Sequence, residues 1–123
     1  MVVREGLRTL VAEHNGASRQ PFALDALRTA ADGLHNATTV DSNGDARAVA
    51  ATPDLPGALG LILALVGEAQ AAGTWARLKA CPGEHCGWAF YDHSRNQAST
   101  WCSMAVCGSR EKARAYRRRS SSR

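Results

Sequence analysis

Residues 81–107 read CPGEHCGWAFYDHSRNQASTWCSMAVC and hold every cysteine of the chain, as Cys81-Pro-Gly-Glu-His-Cys86 and, after fifteen intervening residues, Cys102-Ser-Met-Ala-Val-Cys107. Each close pair can offer two thiolates from one turn. The segment between the pairs is long enough to double back and bring them around a single ion. Pro82-Gly83 supplies a tight turn inside the first pair, and Gly87 after Cys86 is the small residue that a metal-binding knuckle needs where backbone N–H groups approach sulfur. Other chemistries share this count. Two disulfides would use all four residues, and four thiolates also suit an iron–sulfur cluster, although its usual spacings differ. A catalytic dithiol normally has a two-residue gap rather than four. His85 or His93 could take the place of a cysteine. Since four cysteines already complete a tetrahedron, the reading is one structural Zn2+ held by Cys81, Cys86, Cys102 and Cys107. A site closed by four thiolates leaves no open position for water, so no catalytic role is expected and the protein reads as a non-enzyme.

The start, Met1-Val-Val-Arg-Glu-Gly-Leu-Arg, places charge where an export signal needs an apolar stretch. The longest apolar run, Leu55 to Gly67, has about 13 residues, against the roughly 20 of a membrane-spanning helix. A cytoplasmic protein with reduced thiols and no membrane partner is expected, which argues against the disulfide alternative. The 123 residues are 45% hydrophobic and 21% charged, which suits a folded chain with one domain or one domain and a small appendage. Much of the apolar content is alanine, and only 6% of residues are aromatic, so the core should be thin.

Charge divides the chain. Met1 to Leu78 carries six basic and eight acidic residues; Lys79 to the C-terminus carries nine basic and three acidic. The positive excess sits beside the cysteines, which points to nucleic acid, an acidic partner or an anionic surface. Residues 2–14 have apolar positions at helical spacing, with Asn15-Gly16 as a stop. Pro21 to Ala31 reads as a second helix, and 34–40 with 47–52 as a hairpin about Asn43-Gly44. Asp54 is a candidate cap for a helix whose Leu59, Ile62, Leu63 and Val66 should form the most buried stripe of the chain. Trp75 to Ala80 reads as a connector, and the Arg/Ser tail from Arg117 as frayed.

Around the cysteines the order Cys81, Cys86, Phe90, Asp92, Ser94, Arg95, Asn96, Trp101, Cys102, Ser103, Met104, Cys107, Gly108, Arg110 and Lys112 resembles the CGNR zinc-finger family of bacterial proteins. The likeness covers about the last 45 residues. Two departures stand out: Ser109 replaces the signature Asn, and Ser99-Thr100 stand where the family often carries two Arg. The upstream part resembles, more weakly, a shortened form of the domain that precedes this finger in stress-induced transcription regulators. The expected organisation is therefore 1–78, a helical part with a β-hairpin, and 79–123, the finger with a basic C-terminal helix. The fold class is mainly α with small β-hairpins (α+β), the finger being treble-clef-like: a knuckle at 81–86, a hairpin across Phe90 to Trp101, and a helix just after Cys107 capped through Gly108-Ser109. Trp88, Phe90, Tyr91 and Trp101 should form its small core, with Asp92 ordering the loop by accepting backbone hydrogen bonds.

The resemblance implies a DNA-binding transcription regulator working in the cytoplasm on the nucleoid. A helix after Cys107 would gather Arg110, Arg114, Arg117 and Arg118 on one face, with Lys112 nearby, while Ala113 and Tyr116 pack back on the finger. Arg95, in the loop, adds a further candidate contact, and Arg95 and Arg110 are the candidates for reading bases. The competing functions are a zinc-stabilised protein-interaction module and a single-stranded RNA binder that stacks bases on the finger's aromatics. The N-terminal helices are a candidate homodimer contact.

Overall fold

The computed structural model describes residues 1–122 and contains four α-helices and two small antiparallel hairpins, an α+β arrangement. Helix α1 spans Val2–Glu13 and α2 Pro21–Ala31, the latter opened by its proline at the first position, where a missing N–H costs nothing. Strands β1 (Asn36–Val40) and β2 (Ala46–Ala50) pair with Thr38 opposite Ala48. Asp41 closes their turn, its Oδ1 accepting from the N–H of Asn43 at 2.8 Å and of Asp45 at 3.1 Å. Helix α3 (Leu55–Ala71) follows, capped as expected by Asp54, whose Oδ1 accepts from Gly57 N at 2.9 Å. The Thr52 hydroxyl and that N–H hold the Asp54 carboxyl below its ordinary range. A 3-10 turn, Trp75–Arg77, leads into β3 (Leu78–Ala80), where the sequence suggested only a connector. Strand β4 (Ala89–Tyr91) pairs with it, and after a long loop a π-turn (Met104–Gly108) enters helix α4 (Ser109–Ser121).

Two compact units emerge, one of Met1–Thr9 with Arg19–Ala76, the other of Leu10–Ser18 with the residues from Arg77 onward. The division falls inside α1, so the finger draws on residues 10–18 as well as on the C-terminal segment.

In the first unit the expected stripe on α3 is not the buried surface. Its buried residues are Gly57 and Gly60; Leu59, Leu63 and Val66 are half-buried, and Ile62 is 41% exposed. The reason is backbone approach. A Cβ on Gly57 would lie 2.1 Å from the Thr52 carbonyl oxygen, and one on Gly60 would lie 2.1 Å from that of His35. The helix thus rests glycine-first on the ends of the hairpin, and two short strands cannot also cover a row of branched side chains. Leu55 and Leu65 are likewise exposed. Among the described residues, no helix is long and apolar enough to cross a membrane.

In the second unit three further expectations are corrected. No hairpin runs from Phe90 to Trp101; β4 pairs back with β3, Leu78 facing Tyr91 and Ala80 facing Ala89, and residues 92–103 form a loop. Gly108 is the N-cap of α4 but without a side-chain cap: the Ser109 hydroxyl donates to the Met104 carbonyl, and the capping hydroxyl is that of Ser103, whose Oγ accepts from Val106 N at the start of the preceding π-turn. The basic tail is not frayed: α4 runs to Ser121, with the Ser121 and Ser122 hydroxyls donating to the carbonyls of Arg117 and Arg118.

Candidate functional site

The four cysteines come from two places that the local sequence shapes differently. Cys81 and Cys86 lie in the loop between β3 and β4. Cys81 N donates to Trp88 O at 2.9 Å, prolonging the ladder, and Cys86 N donates to Gly83 O at 2.9 Å, closing the turn. His85 (φ 60°) and Gly87 (φ 61°) both occupy the left-handed region and reverse the chain after the turn. Gly83 is pressed against the site, for a Cβ there would stand 3.3 Å from both Cys107 Sγ and Cys86 Cβ. Cys102 precedes the π-turn that opens α4, and Cys107 lies within it.

All four Sγ atoms lie within 4.8 Å of one another, and none is joined to another. Cys86 to Cys102 and Cys102 to Cys107 each measure 3.7 Å. A tetrahedral ion with metal–sulfur bonds of about 2.3 Å spaces its sulfurs by about 3.8 Å, so the donor set fits zinc. Neither His85 nor His93 belongs to this cluster. The thiols differ in acidity. Burial works against a Cys81 thiolate, yet the N–H groups of Cys102 and Gly83 and the neighbouring thiols outweigh it and lower the group to about 7. Burial, then the crowding of Cys81, Cys86 and Cys107, pushes Cys102 up to about 12. Cys107 is raised as well, by burial first and then by Cys86. Four sulfurs this close cannot all ionise without a cation among them, and a bound Zn2+ supplies that charge and cross-links the knuckle to the helix.

Beside the thiols lies a polar core that carries the rest of the loop. Lys79 is 5% and Asp92 1% exposed. Lys79 Nζ donates to Asp92 Oδ2 (2.8 Å), Gln97 O (2.7 Å) and Ser99 O (2.9 Å), which uses all three ammonium hydrogens. Asp92 also accepts from Ser94 N and Ser94 Oγ through Oδ1 and from Ser99 N through Oδ2. The ammonium of Lys79, then the Ser94 hydroxyl, holds the Asp92 carboxyl far below the usual carboxylate range. Arg77 Nη1 donates to the carbonyls of Asp92 and Ser94. These bonds consume backbone groups that a partner strand would need, which is why 92–103 is a loop. Asp92 thus orders the loop as its residue type suggested. Lys79 and Arg77 escaped the sequence reading; the available signal was a lysine in a chain with thirteen arginines and only two lysines. A planar guanidinium could not serve three acceptors arranged around one point. Asn15 was also missed. Its Nδ2 donates to Ala80 O at 3.0 Å and Thr100 O at 2.7 Å, tying strand to loop, and His14 Nδ1 lies 2.8 Å from Leu78 O.

The aromatic core is smaller than expected. Phe90 and Trp101 are half-buried, but Tyr91 is exposed and Trp88 is 69% exposed. On α4 the inward residues are Glu111, Arg114 and Ala115, not Ala113 and Tyr116; Tyr116 is 67% exposed. The predicted basic residues divide accordingly. Arg114 Nη1 pairs with Glu84 Oε2 at 2.7 Å and Glu111 Oε2 at 3.1 Å, and Arg118 Nη2 with Glu111 Oε1 at 3.0 Å. Arg110, Lys112 and Arg117, together with Arg119, are exposed and form no ion pair among the described residues, as is true of Arg95 in the loop.

A knuckle and a helix entrance converging four thiolates on one position define a structural zinc finger. Residues 77–120 match the family model described as the CGNR zinc finger. The matched segment contains both cysteine pairs, the Lys79–Asp92 core and nearly all of α4. No curated protein matches the chain.

Proposed function

We propose that the second unit is a DNA-binding module and that the chain is a bacterial transcription regulator acting on the nucleoid. The observation that carries this reading is the outer face of α4. Arg110 and Arg117 lie along one edge of that face and Lys112 and Arg119 along the other, each pair two turns apart, with exposed Tyr116 between the edges. Four exposed cations without an ion pair among the described residues, on a helix anchored by a metal site, suit phosphate contact. Arg114, paired with Glu84 of the knuckle, is directed at the finger rather than at the ligand, and Arg118 is engaged by Glu111 of its own helix. Arg95 and Arg110 remain the candidates for contacting base edges, since both project from the ordered frame around the thiolates.

Salt dependence tests the proposal. Binding of a duplex to the zinc-loaded chain should weaken as salt rises, and each phosphate contact removed should flatten the slope by about 0.9. The variant R110A/K112A/R117A/R119A should lose most of the slope while keeping one zinc. Undiminished duplex binding by that folded variant would refute the DNA reading of α4. A homodimer through the first unit belongs to the same proposal, supported by exposed Leu55, Ile62 and Leu65 on α3. Sedimentation of the parent against L55E/L65E should show the dimer in the parent alone.

A further inference from the structure

A groove of about 610 Å³ opens beside the thiolate cluster, within the second unit. Trp88, largely exposed, and Val106, about half exposed, supply its apolar surface; Cys86, Cys102 and Cys107 form its back wall, and Arg110 and Arg114 stand on its helix side. Its volume falls within the range of sites that take small molecules. In a chain with so few aromatics, an indole left 69% exposed forgoes a large hydrophobic gain, and nothing in the zinc-site geometry requires it there.

The charges around the groove restrict its occupant. Four thiolates around one dication leave net negative charge at the back, and Glu84 on the rim adds more. An anion is disfavoured inside. Arg114 is already engaged by Glu84 and Glu111, so Arg110 is the groove's one cation without an ion pair among the described residues. Arg110 also belongs to the outer basic edge of α4, with Arg117 about 10.5 Å further along. A ligand with a flat neutral body and a negative charge a short distance away meets both demands.

We propose that this groove seats one unpaired nucleobase, stacked on Trp88, with its phosphate outside on Arg110. The inference rests on the DNA reading of α4 and extends it: a chain that contacts phosphates along α4 would prefer single-stranded or locally opened DNA where Trp88 can reach a base. Aromatic stacking tolerates any base, so this contact adds affinity for unpaired strands without reading sequence.

The test uses the zinc-loaded full chain and three probes at one salt concentration: a ten-residue oligothymidylate, the same strand built entirely of abasic sites, and a twenty-base-pair duplex. The parent should bind the oligothymidylate about tenfold more tightly than the abasic strand. Trp88→Ala should abolish that difference, Trp88→Phe should retain most of it, and both should keep one zinc and duplex affinity within about twofold of the parent. If Trp88→Ala binds oligothymidylate as tightly as the parent while the α4 quadruple variant loses the duplex, the base seat is overturned and the DNA reading survives. A parent that binds neither strand nor duplex overturns both. A ten-residue Glu/Phe peptide that binds through Trp88 more tightly than oligothymidylate would assign the groove to a protein partner and overturn the base seat.

Discussion

The two units of this chain reach order by opposite means. The first relies on close backbone approach: α3 meets the hairpin through Gly57 and Gly60, and its large side chains remain partly in water. The second gathers charge and sulfur instead, a buried Lys79–Asp92 pair and four clustered thiols of which Cys81 and Cys107 are buried. A segment as short as 77–122 has little apolar area to bury, and metal and polar networks replace what a core would contribute. The lesson is that hydrophobic content does not say where rigidity lies. The leucine-rich α3 has no fully buried side chain, whereas a nearly leucine-free segment holds the most buried side chain of the described residues, Asp92.

Substitution can break this contrast, beginning with the metal. Cys102→Ser should remove a ligand of a site whose metal contributes roughly 10 kcal/mol or more, and leave the second unit unfolded at any practical zinc concentration. Titration with a competing chelator, read alongside circular dichroism, would check it. Acidity should act in the same direction. Cys102 and Cys107, raised in the metal-free chain, hold their protons at neutral pH, so zinc must displace at least those two. Lowering the pH from 7 to 6 should therefore weaken apparent zinc affinity by at least about 100-fold.

Next in size are the features peculiar to each unit. Lys79→Met leaves Asp92 ionised and buried without its partner, and should lower the thermal midpoint of the zinc-loaded chain by roughly 10 °C. Gly60→Ala should damage the first unit alone, because its new methyl would meet the His35 backbone at 2.1 Å and a carbonyl cannot step aside as a side chain can. The β1–β2 amides should lose protection there while zinc stoichiometry stays at one. The smallest effect is expected at Arg114→Ala. Its ion pairs are about one-third exposed, and their loss should cost about 0.5 kcal/mol and leave the salt slope for DNA unchanged.

The metal site was readable from the sequence because cysteine pairs carry their own geometry: spacing fixes which sulfurs can meet. The helices, the first hairpin and the Asp54 cap were equally local signals. What stayed hidden depended on partners remote in sequence. Lys79 and Asp92 are thirteen positions apart, and Asn15 reaches Ala80 and Thr100. The burial of α3 was misread because periodicity shows which face is apolar but not whether anything is large enough to cover it. On α4 the same spacing that grouped Arg110, Arg114, Arg117 and Arg118 was silent about Glu84, which draws Arg114 out of the set.

If the second unit owes its fold to the thiolate cluster and the first does not, removing the metal should separate them. Amide exchange on the full chain, before and after zinc is stripped by a chelator, tests it most directly. The amides of Lys79 to Tyr91 should lose protection on stripping while those of Asn36 to Ala50 keep theirs. Native-like protection of the β3–β4 ladder in the metal-free chain would contradict it.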